Sequence, residues 1–209
     1  MESEIEREIK LTLVDGDSAG IMSNTLSNPF IFGSKVFISE HYTDFYYDTP
    51  DGILYSTSGS LRVREFNDGK RRFTFKTFIS DEDGILTRNE YEGSIVDSNE
   101  EAIRNVVNQV FPDYDGEILH VLTLETHRWM LSTELYYTVC IDNCKFINPS
   151  DGAEVQSFAE VEIESMRGVI EYSEDLRNFI STLKSSFGMT PVTDSKYERG
   201  YALIKNQIG

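Results

Sequence analysis

Glu4-Ile5-Glu6-Arg7-Glu8-Ile9-Lys10-Leu11-Thr12 is the stretch that decides the fold. Side chains of a β-strand point alternately to its two faces, so Glu4, Glu6, Glu8 and Lys10 share one face. For a single strand of this kind, a solvated outer face is the simpler interpretation. Three carboxylates in a row repel one another, however, and a plain surface gains nothing from them. A nearby cation would relieve that repulsion.

The same alternation recurs along most of the chain and predicts eight strands. They are Glu4–Thr12, Lys35–Tyr47, Ser60–Glu65, Arg71–Phe78, Thr87–Ile95, Val121–Ser132, Leu135–Cys144 and Ser157–Ser165. Asn67-Asp68-Gly69 predicts a tight hairpin, and the segment from Asp81 to Gly84 predicts a looser connection.

Helices are predicted in two segments, one capped by Ser98 and one running from Ser173 to a stop at Gly188. A shorter helix is expected around residues 17–26 and another after Lys196. Eight strands with a few helices predict an α+β fold, built on a closed antiparallel barrel or a strongly curved sheet. No repeat or linker divides the chain, so residues 1–209 are expected to form one domain.

Three later strands also carry charge on one face. Arg62 and Arg64 share a face of one strand. Arg88, Glu90 and Glu92 share a face of a second strand, and Glu160, Glu162 and Glu164 share a face of a third. Closure of a barrel would bring acidic and basic faces together around a lumen. Carboxylates hold Mg²⁺ or Mn²⁺, and arginine forks bind phosphate oxygens, so the pattern favours phosphoryl chemistry.

Composition excludes several other classes of protein. The net charge of −17 argues against an extended nucleic-acid surface. The absence of a long apolar run and the acidic start of the chain predict a cytoplasmic protein without a membrane segment. Cys140 and Cys144 have neither redox nor zinc spacing and are expected to be reduced thiols, and the three histidines are scattered. Any metal should therefore be a hard ion held by carboxylates.

The ordered motifs resemble those of the CYTH, or triphosphate tunnel metalloenzyme, family. The first is Glu6-Arg7-Glu8-Ile9-Lys10, which matches the family's Glu-x-Glu-x-Lys strand. The others are Tyr46-Tyr47-Asp48-Thr49-Pro50, Leu61-Arg62-Val63-Arg64, Phe75-Lys76-Thr77, Arg88-Asn89-Glu90-Tyr91-Glu92, Thr126-His127-Arg128, Ile141-Asp142, Ala159-Glu160-Val161-Glu162 and Ser195-Lys196-Tyr197.

This resemblance implies an eight-stranded antiparallel tunnel, open at both ends, that binds a triphosphate with Mg²⁺ or Mn²⁺. It implies phosphate binding by Lys10, Arg62, Arg64, Lys76, Arg128 and Lys196. It implies metal ligation by Glu6, Glu8, Glu160, Glu162 and Asp142. Catalytic roles fall to Glu6, Glu8, Lys10, Glu90, Glu92 and Asp142, the last three through a second ion or the attacking water. Glu4 and Glu164 are interpreted as tunnel-mouth residues and Arg88 as a balance for nearby carboxylates, while Arg199 is assigned equally to the site or to the surface.

The family contains several activities, and the shared motifs recognise only the triphosphate. Hydrolysis of inorganic tripolyphosphate is preferred because no motif builds a pocket for an organic group. The alternatives are thiamine triphosphatase, which would need aromatic contacts such as Trp129 or Phe66, class IV adenylate cyclase, and a non-catalytic polyphosphate-binding module. The expected partner is a small triphosphate, and a homodimer is compatible with the sequence.

Overall fold

The computed structural model describes residues 3–14, 20–21, 25, 36–95, 99–110, 114–133, 136–166 and 168–208. Eight long strands account for most of them. They are β1 (Ser3–Val14), β2 (Val36–Asp48), β3 (Ser60–Phe66), β4 (Arg71–Glu82), β5 (Ile85–Ser94), β6 (Leu119–Ser132), β7 (Tyr137–Ile147) and β8 (Glu154–Ser165). Each overlaps one of the eight predicted strands.

The eight strands close into a barrel. Neighbours follow the order β5-β4-β3-β2-β6-β7-β8-β1, and β1 pairs again with β5 to complete the ring. Every pairing is antiparallel. A two-residue strand, β9 (Thr190–Pro191), pairs with Leu11 and Thr12 of β1. The closed barrel is therefore confirmed over the alternative of a curved open sheet.

Short turns fix the register between strands. The predicted hairpin after β3 is confirmed, with Gly69 at a φ of +80°. The connection between β4 and β5, predicted to be loose, is instead a two-residue turn of Asp83 and Gly84. Both residues have positive φ, 56° and 77° respectively. Asp and Gly tolerate that conformation, which is why the strands could extend up to the turn.

Four helices are described: α1 (Ile53–Ser56), α2 (Asn99–Val110), α3 (Glu174–Phe187) and α4 (Lys196–Ile208). Ser173 caps α3 by accepting a hydrogen bond from the backbone of Leu176, and Gly188 ends the helix in a left-handed conformation, as predicted. The predicted cap Ser98 lies outside the described residues. So does the helix expected around residues 17–26, apart from Gly20, Ile21 and Thr25, which are helical. Every described helix is too short or too polar to cross a lipid bilayer.

Helix α3 covers part of the outer wall of the barrel. Its buried residues Leu176, Phe179 and Leu183 share an apolar cluster with the odd-numbered, outward-facing side chains Ile9 and Leu11 of β1. This cluster explains the alternation of the opening stretch, because the apolar face of β1 is buried beneath a helix while its charged face is directed into the barrel.

Helix α4 packs against strands β6 and β7 of the barrel. Leu122 and Phe146 lie on the same strand faces as the lumen residues Arg128 and Asp142, and they share an apolar cluster with Tyr197 and Ile204 of the helix. A methyl group added at Gly200 would lie 2.6 Å from Leu122 Cδ2 and 2.8 Å from Phe146 Cδ1, so the helix fits closely.

Candidate active site in the barrel lumen

The lumen holds a cavity of about 60 Å³ lined mainly by charged side chains. Its walls contain six cationic residues and two carboxylates, together with serines and tyrosines. The cationic residues are Lys10, Arg62, Lys76, Arg88, Arg128 and Lys196, and the carboxylates are Glu8 and Glu162. The whole chain carries a net charge of −17, whereas the side chains that line this cavity are mostly positive. The cavity is suited to an anion.

Strand β1 supplies one charged wall, as the alternation predicted. Glu6 accepts hydrogen bonds from Lys76 Nζ at 2.7 Å to each carboxylate oxygen. Glu8 accepts from Arg88 Nη1 at 2.9 Å and lies 3.5 Å from Lys10 Nζ. Burial opposes the charge of Lys76, but Glu6 and Glu90 outweigh it and raise the pKa of Lys76. Burial lowers the pKa of Lys10 despite its neighbour Glu8.

Three carboxylates converge on the ammonium group of Lys196 at the start of α4. Its Nζ atom lies 2.6 Å from Glu160, 2.6 Å from Glu162 and 3.0 Å from Asp142. Burial alone would destabilise this charge, but the three carboxylates hold the pKa of Lys196 well above its usual value. The sequence placed these four residues in one site, and the structure brings them together.

Arg128 joins the same group from β6. Its Nε and Nη2 atoms donate to the two oxygens of Asp142 at 2.7 and 2.6 Å, which is a bidentate pair. The same Nη2 atom also donates to Glu162. Although burial works against ionisation, Lys196 and Arg128 hold the pKa of Glu162 well below its usual range. Asp142 is fully buried beside these two cations.

Arg62 and Arg64 differ in how firmly they are held. Arg64 is 5% exposed and donates from Nε and Nη2 to the two oxygens of Asp44, at 2.8 and 2.9 Å. Its guanidinium also lies 3.6 Å from the ring centre of Tyr42. Arg62 makes one hydrogen bond to Asp44, at 3.2 Å, and its buried Nε has no partner. Only Arg62 of the two lines the cavity, so it has donors to offer a ligand.

Glu90 and Glu92 of β5 occupy successive positions along the lumen. Glu90 lies 3.2 Å from Lys76 Nζ, beside Glu6. Glu92 is exposed, accepts a hydrogen bond from Thr74 at 3.1 Å and pairs with Arg72. The structure therefore separates two residues that the sequence assigned to one role.

The sequence did not identify every lumen residue. Asp44, which holds both arginines of β3, was missed, although it shares a face of β2 with Tyr42 and Tyr46. Arg199 donates to Glu160 and to Thr12 Oγ1, so it contacts a predicted metal ligand although it does not line the lumen cavity. Arg88 balances Glu8, as interpreted from the sequence.

The predicted metal ligands match Mg²⁺ or Mn²⁺ in chemical type, since all are carboxylates. Among the described residues, no three His, Cys, Asp or Glu side chains form a ready-made metal cluster. Each predicted ligand is paired with a lysine or an arginine. The acidic groups are nevertheless close together. Burial, and then the charge of the nearby Glu6, raises the pKa of Glu164 to about 7. The donor set fits a cation.

Comparisons with known proteins identify a matching family and solved structures of similar fold. Residues 4–201 match the model of the CYTH domain. No curated protein sequence matches the chain. Among solved structures, a putative adenylate cyclase from Bacillus halodurans is 20% identical, with a TM-score of 0.61 over 95% of this chain and 98% of that one.

Two further structures broaden the comparison. A putative adenylyl cyclase from Hippeastrum, reported to have a dominant triphosphatase activity, is 20% identical, with a TM-score of 0.64 over 97% of this chain and 96% of that one. The RNA triphosphatase domain of a mimivirus mRNA capping enzyme is 15% identical, with a TM-score of 0.50 over 96% and 88%. At these identities the likeness shows a shared fold. With the family model matched over nearly its whole length, the chain belongs to the CYTH family.

Proposed function

We propose that this protein is a divalent-metal-dependent hydrolase of triphosphates and that inorganic tripolyphosphate is its substrate. The observation that carries the proposal is the wall of the lumen cavity, where six cationic residues face two carboxylates. A polyanion would satisfy those cations, and the acidic residues behind them would hold the metal that a triphosphate brings. Both signs of charge are needed, because catalysis of phosphoryl transfer rests on positioning and charge neutralisation.

Phosphate binding is assigned to the cations that face the cavity. Arg62 has an unpartnered Nε and a single contact to Asp44, so it can turn toward phosphate oxygens at little cost. Lys10, Lys76, Arg128 and Lys196 line the same cavity and would exchange carboxylate partners for phosphate. Arg64 is bound bidentately to Asp44 and is assigned a supporting role, in which it holds Asp44 beside Arg62.

Metal binding is assigned to Glu6 and Glu8 on β1, Glu160 and Glu162 on β8, and Asp142 on β7. As phosphate draws the lysines and arginines away, these carboxylates would become free to ligate. A bound Mg²⁺ or Mn²⁺ would neutralise the triphosphate and lower the pKa of a coordinated water. Lys10, which lies 3.5 Å from Glu8, would add positive charge beside the reacting group.

The carboxylate that orients water is assigned to Glu90. It lies inside the barrel next to Lys76 and Glu6, close to the proposed metal ligands. Glu92 sits nearer solvent and is tied to Arg72 and Thr74, which suits substrate entry better than proton transfer. Asp142 is held by Arg128 and Lys196, so before the triphosphate binds it would position those two cations, in addition to its role as a metal ligand.

Inorganic tripolyphosphate is preferred because the cavity wall offers almost nothing to an organic group. Its apolar surface consists of Tyr46 and Tyr197, whose rings stack on each other at 5.4 Å. Trp129, the aromatic residue considered for thiamine, occupies the opposite strand face from Arg128 and contacts His127 instead. Thiamine triphosphatase and class IV adenylate cyclase remain alternatives, the latter because the Bacillus and Hippeastrum structures with this fold are called putative cyclases.

One assay separates these functions. The purified protein is incubated with Mg²⁺ or Mn²⁺ and, in turn, with tripolyphosphate, thiamine triphosphate, ATP or a triphosphorylated RNA. We expect phosphate release with the highest kcat/KM on tripolyphosphate. Faster turnover of thiamine triphosphate, or formation of cyclic AMP and pyrophosphate from ATP, would replace the proposed substrate. Tight binding of tripolyphosphate without turnover would identify a binding module.

A further inference from the structure

Three of the proposed metal ligands belong to a cluster of side chains whose charges are already balanced. The carboxylates are Asp142 on β7 and Glu160 and Glu162 on β8, and the cations that they meet are Arg128, Lys196 and Arg199. Three negative and three positive side chains leave the cluster without net charge. Asp142 and Glu160 are fully buried, so solvent screens these charges only weakly.

Every carboxylate oxygen of the cluster has a cationic partner. Lys196 Nζ lies 2.6 Å from Glu160 Oε1, 2.6 Å from Glu162 Oε1 and 3.0 Å from Asp142 Oδ2. Arg128 donates to both oxygens of Asp142 and to Oε2 of Glu162. Arg199 donates to Oε2 of Glu160. An ammonium group has three N–H donors, so Lys196 can satisfy all three carboxylates at once.

A divalent cation cannot share these carboxylates with their present partners. Protein oxygens approach Mg²⁺ or Ca²⁺ to about 2.0–2.6 Å, so the ion would have to displace the ammonium group of Lys196. It would also bring two positive charges into a buried cluster that is already neutral, which is strongly unfavourable. A triphosphate removes both obstacles. Its oxygens offer Lys196 and Arg128 new partners, and its negative charge balances the ion.

We propose that Lys196 makes metal binding at these carboxylates conditional on the triphosphate. The lysine excludes a free divalent cation and gives way when phosphate oxygens replace its three carboxylate partners. Arg199 supports the exclusion by holding the second oxygen of Glu160. The inference rests on the proposed function, in which these carboxylates ligate the metal. It adds the form in which the ligand is accepted, a metal–triphosphate complex and not the free ion.

Binding of Mn²⁺ without turnover tests the proposal. Equilibrium dialysis measures the Mn²⁺ bound by the wild type with and without imidotriphosphate, a triphosphate whose bridging nitrogens resist hydrolysis. Glu162→Gln, measured in parallel, identifies the part of the binding that depends on the carboxylate cluster. We expect Glu162-dependent binding of Mn²⁺ only when imidotriphosphate is present.

Removal of the lysine charge should lift the condition. Lys196→Met leaves three carboxylates with two arginines, so it should bind Mn²⁺ alone about tenfold or more tightly than the wild type does. Lys205→Met is the matched control, because it removes the same charge from an exposed position on the same helix. It should bind Mn²⁺ as the wild type does. Arg199→Gln, which frees one oxygen of Glu160, should strengthen binding by a smaller factor.

Thermal unfolding gives a second readout. Loss of Lys196 leaves buried carboxylates short of a partner, so Lys196→Met should be less stable than the wild type. Mn²⁺ alone should raise the melting temperature of this variant, since a ligand of the folded state stabilises it, and should leave that of the wild type unchanged. The dialysis of the wild type and of Arg199→Gln requires no change at Lys196, so the test does not depend on how well one variant folds.

Two results would overturn the proposal. One is Glu162-dependent binding of Mn²⁺ alone to the wild type with the affinity expected of Lys196→Met. The other is an affinity for Mn²⁺ that is the same in Lys196→Met, Arg199→Gln and Lys205→Met. None of these measurements uses turnover. A protein that binds Mn²⁺ as expected but hydrolyses no triphosphate would contradict the hydrolase assignment and leave this inference standing.

Discussion

Tyr197 donates a hydrogen bond from its hydroxyl group to Oδ2 of Asp48 at 2.5 Å. The same carboxylate accepts backbone N–H bonds from Thr49, Leu54 and Tyr55, at 2.7, 2.9 and 3.0 Å, and is fully buried. One side chain thus caps α1 and anchors α4. Because Lys196 precedes Tyr197, the anchor also fixes the lysine around which three lumen carboxylates gather.

Removing this hydroxyl group should affect both stability and substrate binding. Tyr197→Phe leaves Asp48 buried with one donor fewer, which should cost about 1–3 kcal/mol of unfolding free energy. The loosened Lys196 should raise KM more than it lowers kcat. Tyr201→Phe, one helical turn along α4, is the matched control. Chemical denaturation and steady-state kinetics measure the two effects, and a Tyr197→Phe protein identical to the wild type in both would refute the anchoring role.

Glu162→Gln should abolish turnover while the barrel stays folded. The change keeps the shape of the side chain but removes the charge that pairs with Lys196 and Arg128 and that is proposed to ligate metal. We expect kcat to fall by roughly 100-fold or more. Glu154→Gln on the same strand is a suitable control, because Glu154 is half-exposed and pairs only with the surface residue Lys145. A rate near that of the wild type would contradict the metal assignment.

Arg62 and Arg64 should give different phenotypes despite their shared motif. Arg62→Ala removes a cavity-facing donor and should raise KM by about 10- to 100-fold with little change in melting temperature. Arg64→Ala leaves the buried Asp44 short of its bidentate partner and should mainly lower stability. Kinetics and thermal unfolding on both variants decide the matter. An unchanged KM for Arg62→Ala would mean that this arginine does not meet the substrate.

Removal of divalent cations should stop catalysis without unfolding the protein. With EDTA, the lumen carboxylates keep their lysine and arginine partners, so circular dichroism and the melting temperature should stay close to those of the untreated protein. Activity should return on addition of Mg²⁺ or Mn²⁺. Turnover that persists in EDTA would require a metal-free mechanism, and the assay can be repeated with Ca²⁺ to test the preference for small ions.

The strands and their faces could be predicted because period-two alternation is a local property. Ser3–Val14 and Ser60–Phe66 differ from their predictions by only one or two residues at an end. The short helix Ile53–Ser56 was missed, since four residues carry no helical periodicity. Its position depends on Asp48, whose carboxylate accepts hydrogen bonds from the backbone N–H groups of Leu54 and Tyr55.

Pairings across the lumen could not be predicted, because they depend on register between distant strands. Asp44 lies opposite Arg64 through the pairing of β2 with β3, and nothing adjacent in sequence indicates that partner. Arg199 is 39 residues from Glu160, its carboxylate partner. The packing position of α4 could not be predicted either, because its sequence indicates an amphipathic helix but does not indicate which surface the helix covers.

Helix α4 links the packing of the barrel to the charge of its lumen. The same helix buries Tyr197 and Ile204 against Leu122 and Phe146 and carries Lys196, whose ammonium group meets three lumen carboxylates. Under the proposed function, a substitution that shifts α4 without touching the lumen would therefore weaken triphosphate binding through the displacement of Lys196.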